Sequence, residues 1–200
     1  MNKNQSKNIL VAKFAEFRHS LSYIDALPQL TVLGLLVGIL TALIIVIFRL
    51  IVEFILNLYL PANSENFEAL PLDAKISVLV IGIFLIYCLM RFVSPKDREL
   101  SVSHVLDRMH NHQAKMPLKN WCVQFIGAVI CLSSGQSVGR EGPVVHLGAG
   151  AASQFGQWLK LPNNSIHTLT GCGVAAAISA SFDTPMAGVI FAMEVLAMEY

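Results

Sequence analysis

Long uncharged apolar runs alternate with short polar segments along the chain, and this pattern predicts membrane-spanning helices. The first run extends from Thr31 to about Leu56 and the second from Ile76 to about Val93. An α-helix rises about 1.5 Å per residue, so the first run is longer than a hydrocarbon core of about 30 Å and we expect it to tilt. Each of these two runs therefore predicts one full span.

Further along the chain the apolar runs are shorter and rich in glycine, alanine and serine. They cover residues 121–138, 144–159 and 161–182, and a last run begins at Thr184. Short runs that are interrupted by glycine and joined by tight turns are typical of broken or half-spanning helices, whose ends meet near the middle of the membrane. Residues 100–119 are too polar and too few to span. The pattern therefore predicts an all-α integral membrane protein with tilted and broken helices.

The charges around the first two runs predict the orientation of the chain. Basic residues precede the first run and follow the second, whereas the loop at 61–74 carries acidic residues and no Lys or Arg. The positive-inside rule places the N-terminus in the cytoplasm and this loop outside. Residues 1–30 then form a cytoplasmic segment, in which residues 9–23 suggest a short amphipathic helix, and 31–200 form the transmembrane part. Arg49 and Glu53 stand one helical turn apart and can pair near the outer end of the first span.

The composition supports a membrane protein. Charged residues make up 14% of the chain, whereas about 25% is usual in soluble domains. A formal net charge of +1, without a basic cluster or an aromatic stripe, gives no reason to expect a nucleic-acid partner. His104, His110 and His112 do not fall on one helix face, so we expect a solvated loop there rather than a metal site. We expect no cofactor, and a transporter rather than an enzyme.

The segment Gly139-Arg140-Glu141-Gly142-Pro143 places two opposite charges directly before an uncharged run. Charges inside a membrane are costly and indicate a functional site. Proline suits the first position of a helix because it has no N–H to pair and its φ is already helical. The amides of Arg140, Glu141 and Gly142 would then be unpaired donors at the positive end of a helix dipole. Such amides predict an anion-binding site.

Glu141 has two interpretations. As a carboxylate at a helix N-terminus it would stabilise the helix by roughly 0.3–1 kcal/mol. As a tethered anion it would compete with a bound ion for the same amides, and its protonation would admit the ion. Arg140 either faces the ion or pairs with Glu141 or an interfacial carbonyl. His146, just beyond the first turn, is either a proton-sensitive neighbour of Glu141 or a packing residue that bonds a carbonyl.

Residues 137–150, with the sequence Ser-Val-Gly-Arg-Glu-Gly-Pro-Val-Val-His-Leu-Gly-Ala-Gly, resemble the central motif of CLC chloride channels and proton-coupled chloride exchangers. Residues 173–177 and 182–191 are similar to the next helix pair of the same family. The resemblance covers residues 31–200 and implies the first half of a CLC-type inverted repeat from a bacterial member. It also implies a multi-pass protein of the inner (plasma) membrane, with chloride or a similar anion and the lipid bilayer as partners, and a homodimer in the full-length form.

The resemblance assigns roles to individual residues. It implies that Glu141 is the external gating glutamate. The outer anion sites would be lined by Gly139, Arg140, Glu141, Gly142 and Pro143. In the family, the serine of a glycine-serine-glycine-isoleucine-proline loop binds the central ion. Here Val102 stands where that serine belongs, and Ser101 or Ser103 could replace it, or the ion could be held by backbone alone.

A second glutamate passes the proton in many exchangers of this family, and it directly follows a first glutamate. Here Glu194 matches the first, and Val195 falls at the proton-passing position. Because valine cannot carry a proton, we expect channel-like or weakly proton-coupled transport, unless Glu194, Glu199 or water takes over. Glu194 can also be interpreted as a structural carboxylate that bonds neighbouring helix ends.

The alternative is a membrane fragment without transport activity. The remaining ligands of the family are a glycine-x-phenylalanine-x-proline loop and a tyrosine hydroxyl from the second half, and neither occurs in residues 1–200. A cavity without half of its lining would leave backbone groups unpaired in the membrane. We therefore expect that residues 1–200 alone neither conduct nor exchange anions.

Overall fold

The computed structural model describes residues 27–60, 67 and 70–196, which form helices and contain no strand. The α-helices are α1 (Leu27–Tyr59), α2 (Leu72–Phe92), α3 (Ser101–Asn111), α4 (Leu118–Ser133), α5 (Glu141–Trp158), α6 (Asn163–Phe182) and α7 (Pro185–Phe191). A 3₁₀ turn at Pro95–Asp97 precedes α3, and a π-helical turn at Ala192–Leu196 continues α7. The amphipathic helix that we predicted at 9–23 lies outside the described residues.

Three helices are long and apolar enough to cross a membrane, namely Pro28–Tyr59, Leu72–Phe92 and Asn163–Phe182. The first two confirm the predicted full spans, although each begins a few residues earlier than predicted. The third lies in the run at 161–182, which is therefore long enough to span rather than half-spanning as predicted. The shorter apolar helix Leu118–Ser133 agrees with the prediction of broken helices, and Pro185–Leu196 reaches the last described residue. The chain is therefore an all-helical membrane protein.

The apolar run that we predicted at 121–138 extends too far at its C-terminal end. Helix α4 ends at Ser133 rather than at Val138. Gly135, with φ of 70°, follows directly and takes a left-handed conformation that other residues rarely adopt. The chain therefore leaves the helix early and reaches the start of α5 as an irregular link.

Helix α5 lies at the centre of the fold. Every residue from Pro143 to Ser153 is buried, and α1, α3, α4 and α6 pack around the helix. A helix that is apolar on all sides is expected in such a central position. Helix α5, whose N-terminal end carries the candidate site, is therefore held by four neighbouring helices.

Helices α5 and α6 approach each other through glycines. A Cβ on Gly148 would lie 2.7 Å from the carbonyl oxygen of Gly173 and 2.5 Å from the Cβ of Ala177. A Cβ on Gly173 would lie 2.6 Å from the carbonyl oxygen of Gly148. Small residues at a crossing allow the two backbones to touch, which is how membrane helices gain packing energy.

Candidate anion-binding site

The N-terminus of α5 leaves backbone amides without partners. The helix begins at Glu141, with Arg140 as its N-cap residue, and no side chain caps it. The first helical hydrogen bond runs from the amide of Val144 to the carbonyl of Arg140, at 3.1 Å. Pro143 is therefore the third helical residue, whereas we had predicted that it would be the first. Because proline has no N–H, the free donors at this end are the amides of Glu141 and Gly142, with that of the N-cap residue beside them.

The N-terminus of α3 reaches the same place. Ser101 is the first residue of α3, and its Oγ would lie 2.7 Å from a Cβ on Gly142. The N-cap residue of α3, Leu100, also provides no side-chain cap. Two helix N-termini without side-chain caps therefore converge at the contact between Ser101 and Gly142, and both direct positive dipole ends toward it.

Of the three residues considered for the central site, Ser101 is the one that lies against Gly142. Val102 is half-buried and packs against the hydrophobic core. Ser103 instead lines an open cavity beside Glu99. Ser101 has φ of 78°, a left-handed conformation that is uncommon for residues other than glycine. Strained backbone of this kind clusters at functional sites.

Polar side chains of α4 anchor the start of α3 and the second turn of α5. The buried amide of Asn120 donates a hydrogen bond to the carbonyl of Glu99 at 3.1 Å, just before α3 begins. The indole of Trp121 donates to the carbonyl of Leu147 in α5 at 2.9 Å. Sequence reasoning did not identify Asn120 or Trp121, although an amide and an indole at the start of an apolar run are a signal for such anchoring.

The link between α3 and α4 is tied to α5 by a buried hydroxyl. Ser153 donates to the carbonyl of Ala114 at 2.6 Å and accepts from the amide of Met116 at 2.9 Å. The hydroxyl thereby satisfies two backbone groups that would otherwise be unpaired. The relative position of α3 and α5 is therefore held at both ends of α3.

Arg140 and Glu141 are exposed, and the side chain of neither makes a hydrogen bond or an ion pair with the described residues. The pairing of Arg140 with Glu141, which was one of two alternatives, is therefore not found. Arg140 lines a cavity that it shares with Arg49 and Glu53 of α1. Arg49 pairs with Glu53 at 2.9 Å, as predicted, and approaches Asp183 at 3.7 Å.

His146 lies behind the N-terminus of α5 and is fully buried. Its ring packs against that of His104 in α3, with centroids 5.3 Å apart and planes tilted by 30°. Neither nitrogen of His146 has a hydrogen-bond partner among the described residues, so the carbonyl bond that we considered is not found. The expectation of a solvated loop at His104 is wrong, because that side chain is 2% exposed. On a helix His104 falls on the face opposite the apolar residues Val102, Val105, Leu106 and Met109, so the sequence pattern carried no signal of its burial.

The environment of His104 favours its neutral form. Burial lowers its pKa, and the nearby Arg108 lowers the pKa further. Glu99 acts in the opposite direction, with its Oε2 3.6 Å from the Nδ1 of His104. This contact is long for a direct hydrogen bond, and the carboxylate is largely exposed.

Glu194 and Val195 lie in the π-helical turn after α7. Glu194 is exposed, and none of the described residues pairs with it. The structural bonding to helix ends that we considered is therefore not found in this part of the chain. Val195 is half-buried and packs against the core. Glu199 lies outside the described residues.

The comparisons with known proteins identify the family of this chain. The sequence pattern of the family described as voltage gated chloride channel matches residues 81–200, which is more than half of the chain. The chain belongs to this family. The match spans the motif at 139–143 and helices α3 to α7, whereas α1 lies before the matched residues.

Curated relatives in this family include both channels and exchangers. A chloride/fluoride channel protein from Pseudomonas syringae pv. tomato is 33% identical over 94 residues, which cover 47% of this chain and 21% of that protein. The H(+)/Cl(-) exchange transporter ClcA from Vibrio vulnificus is 29% identical over 168 residues, which cover 81% of this chain and 35% of that protein. The chain thus spans about a third of the length of the exchanger.

A solved structure has the same fold. The crystal structure of a CLC-type fluoride/proton antiporter superposes with a TM-score of 0.67 at 27% identity. The superposition covers 86% of this chain and 40% of the antiporter chain. This agreement confirms the predicted resemblance to CLC proteins and the all-helical fold.

Proposed function

We propose that this chain forms the N-terminal part of a CLC-type anion transporter and not an enzyme. The observation that carries the proposal is the convergence of the N-termini of α3 and α5 at Ser101 and Gly142. Amides without partners and two positive dipole ends favour an anion at that point. Chloride and fluoride are the anions that the names of the similar proteins mention.

Glu141 acts as the gate of this site. It is the first residue of α5, so its carboxylate is tethered beside the amides that would bind the ion. A carboxylate and an anion cannot share those amides cheaply, because both are negative. Protonation of Glu141, or its displacement, opens the site. Gly139, Arg140, Gly142 and Pro143 form the rest of the outer lining.

Arg140 attracts anions toward the gate. Arg140 directly precedes Glu141 and lines a cavity with Arg49 and Glu53. Its side chain has no carboxylate partner among the described residues, whereas Arg49 is paired with Glu53. A single unpaired cation at the mouth of a cleft raises the local concentration of anions and their association rate. The central ligand in this proposal is Ser101, supported by its contact with Gly142.

Transport is channel-like or weakly coupled to protons, because Val195 occupies the position of the proton-passing glutamate. The protein resides in the plasma membrane as a homodimer with a cytoplasmic N-terminus. The alternative is that residues 1–200 alone are inactive, and the exposure of both Ser101 and Glu141 favours it. In residues 1–200 alone, one side of the anion site is open to solvent.

Anion flux from liposomes tests the function. The longest polypeptide of the reading frame that contains residues 1–200 should release chloride, whereas residues 1–200 alone should not. Release by residues 1–200 would overturn the inactive-fragment alternative. The absence of chloride and fluoride release from the longest polypeptide would overturn the transport proposal.

A substitution tests the gate. At saturating chloride, Glu141→Gln should abolish the dependence of flux on outer pH, because the neutral amide cannot compete with the ion. Glu53→Gln is the matched control, since Glu53 pairs with Arg49 and lies in α1. An unchanged pH profile in Glu141→Gln would remove Glu141 from the gating role. Net proton movement against its gradient, driven by chloride, would contradict weak coupling.

A further inference from the structure

We propose that the two buried imidazoles of His104 and His146 form a proton-binding site that is coupled to the anion site. An anion that binds where Ser101 meets Gly142 favours protonation of this pair, and the proton enters from the cavity beside Glu99. This inference rests on the proposed anion transport and adds a proton site that no comparison assigns.

The histidine pair lies on the same two helices as the anion site. Helices α3 and α5 run side by side from their converging N-termini, where Ser101 meets Gly142. His104 is three residues after Ser101, and His146 is four residues after Gly142. One helical turn is about 5.4 Å, so the pair lies roughly that far behind the anion site.

The burial of two adjacent imidazoles with almost no polar partners indicates a function. His104 is 2% exposed and His146 is 0% exposed. Among the described residues no ring nitrogen of either makes a hydrogen bond, and Nδ1 of His104 has only the 3.6 Å contact with Oε2 of Glu99. Leaving a buried polar group without a partner is destabilising, and native structures contain few such groups. Apolar side chains would fill the same space without burying polar nitrogens. Two imidazoles in contact are therefore better explained by a role in binding an exchangeable proton than by packing alone.

Burial lowers the pKa of His104 most and Arg108 lowers it further, whereas Glu99, on the segment before α3, and Asp107, on α3, act to raise it. Without a bound anion the neutral pair is therefore favoured, and a proton that does bind is held on His104, because the two carboxylates act on that ring and not on His146. The helices α1, α4 and α6 also pack against α5, but within the described residues they add no charged group that acts on His146. Two adjacent imidazolium ions repel each other, so the pair holds at most one proton.

An open cavity lies beside the pair, and Glu99, whose carboxylate is largely exposed, connects this cavity with the buried ring of His104. The cavity has a volume of about 600 Å³, and its lining includes Glu99, Ser103, His104, Asp107, Arg108 and His112. His104 forms part of the cavity wall, whereas His146 lies deeper against α5. A proton can therefore reach His104 by way of Glu99 and then be shared with His146, which brings positive charge closer to the anion.

The coupling is reciprocal. An imidazolium one turn behind the anion site raises anion affinity, and a bound anion must raise the proton affinity of the pair by the same factor. Typical coupling between sites is about 5- to 150-fold. The pair thereby gives this chain a proton site although Val195 cannot carry a proton.

The test is a titration of the longest polypeptide that contains residues 1–200, carrying Glu141→Gln so that the gate contributes no proton. Sodium chloride is added in weakly buffered solution between pH 7.5 and 5, with anion binding measured by calorimetry and proton uptake by a pH electrode. We expect up to about one proton taken up per anion and an affinity that rises about 5- to 150-fold as the pH falls.

Histidine variants in the same background locate the proton. His104→Gln and His146→Gln should each abolish uptake and make anion affinity independent of pH. His110→Gln is the matched control, because His110 is exposed on α3 and contacts the carbonyl of Leu106 through Nδ1 at 2.8 Å. It should leave uptake unchanged.

The outcomes separate the two proposals. Anion binding without proton uptake in Glu141→Gln overturns this inference alone, and this result requires no histidine variant to fold. Uptake that persists in both His104→Gln and His146→Gln also overturns it. The absence of anion binding in the protein with and without Glu141→Gln overturns the proposed function, and this inference with it.

Discussion

A methyl group at residue 142 tests the convergence of the two helix N-termini on which the site depends. In Gly142→Ala the new Cβ would lie 2.7 Å from the Oγ of Ser101, whereas ordinary contact begins at 3.4 Å. One of the two helices must therefore move by about 0.7 Å, or Ser101 must rotate away. Ser101 already has a left-handed backbone with φ of 78°, which limits how it can adapt.

The expected size of the effect follows from this overlap. Inserting a group into a packed interface costs about 1–3 kcal/mol, while replacing glycine by alanine in a helix otherwise gains about 0.5–1 kcal/mol. When Ser101 is changed to alanine, its nearest remaining atom is the Cβ at 3.8 Å, which is an ordinary contact. Gly142→Ala should therefore destabilise the protein in the wild-type background and stabilise it in the Ser101→Ala background.

The assay is a double-mutant cycle by thermal unfolding in detergent. We expect a coupling of about 1–3 kcal/mol between positions 101 and 142, and about 2–4 °C in Tm for each kcal/mol in a chain of this size. Gly139→Ala is the matched control, because a Cβ there has no neighbour within 4 Å. If Gly142→Ala changes Tm equally in both backgrounds, Ser101 does not lie against Gly142 and the converging N-termini are wrong.

Two further predictions concern packing and pH. Gly148→Val should lower Tm by more than Gly142→Ala, because its Cβ would lie 2.7 Å from the carbonyl oxygen of Gly173, and a backbone atom cannot rotate away. Gly171→Ala is the control, because a Cβ there has no neighbour within 4 Å. Equal Tm values for Gly148→Val and Gly171→Ala would refute the close crossing of α5 and α6. Since the pKa of His104 is lowered by burial, the unfolded chain binds a proton that the folded chain does not, and stability in anion-free buffer should fall as the pH drops below about 6.5. His104→Gln should reduce that slope in melts from pH 8 to 5, and an unchanged slope would contradict the buried position of His104.

Some of the candidate site could be predicted because it depends on neighbours along the chain. The two long apolar runs form α1 and α2, and the charged pair between glycines stands at the start of α5, as expected. The register of that start was wrong by two residues, because Pro143 tolerates the third helical position as well as the first. The backbone N–H groups of the first turn have no intrahelical acceptor, so proline, which has no N–H, fits any of these positions and does not mark the first residue of the helix.

The sequence by itself determined the membrane class, the resemblance to CLC proteins and the amides at Glu141 and Gly142, because hydropathy, charge and a contiguous motif are local properties. Only the tertiary structure decided that Ser101 rather than Val102 faces Gly142, and that His104 stacks on His146 instead of facing solvent. These contacts join residues about forty positions apart. They depend on how α3 is rotated against α5. Hydrogen bonds from α4 and from the buried hydroxyl of Ser153 fix this rotation, because they satisfy backbone groups whose partners no local sequence pattern reveals.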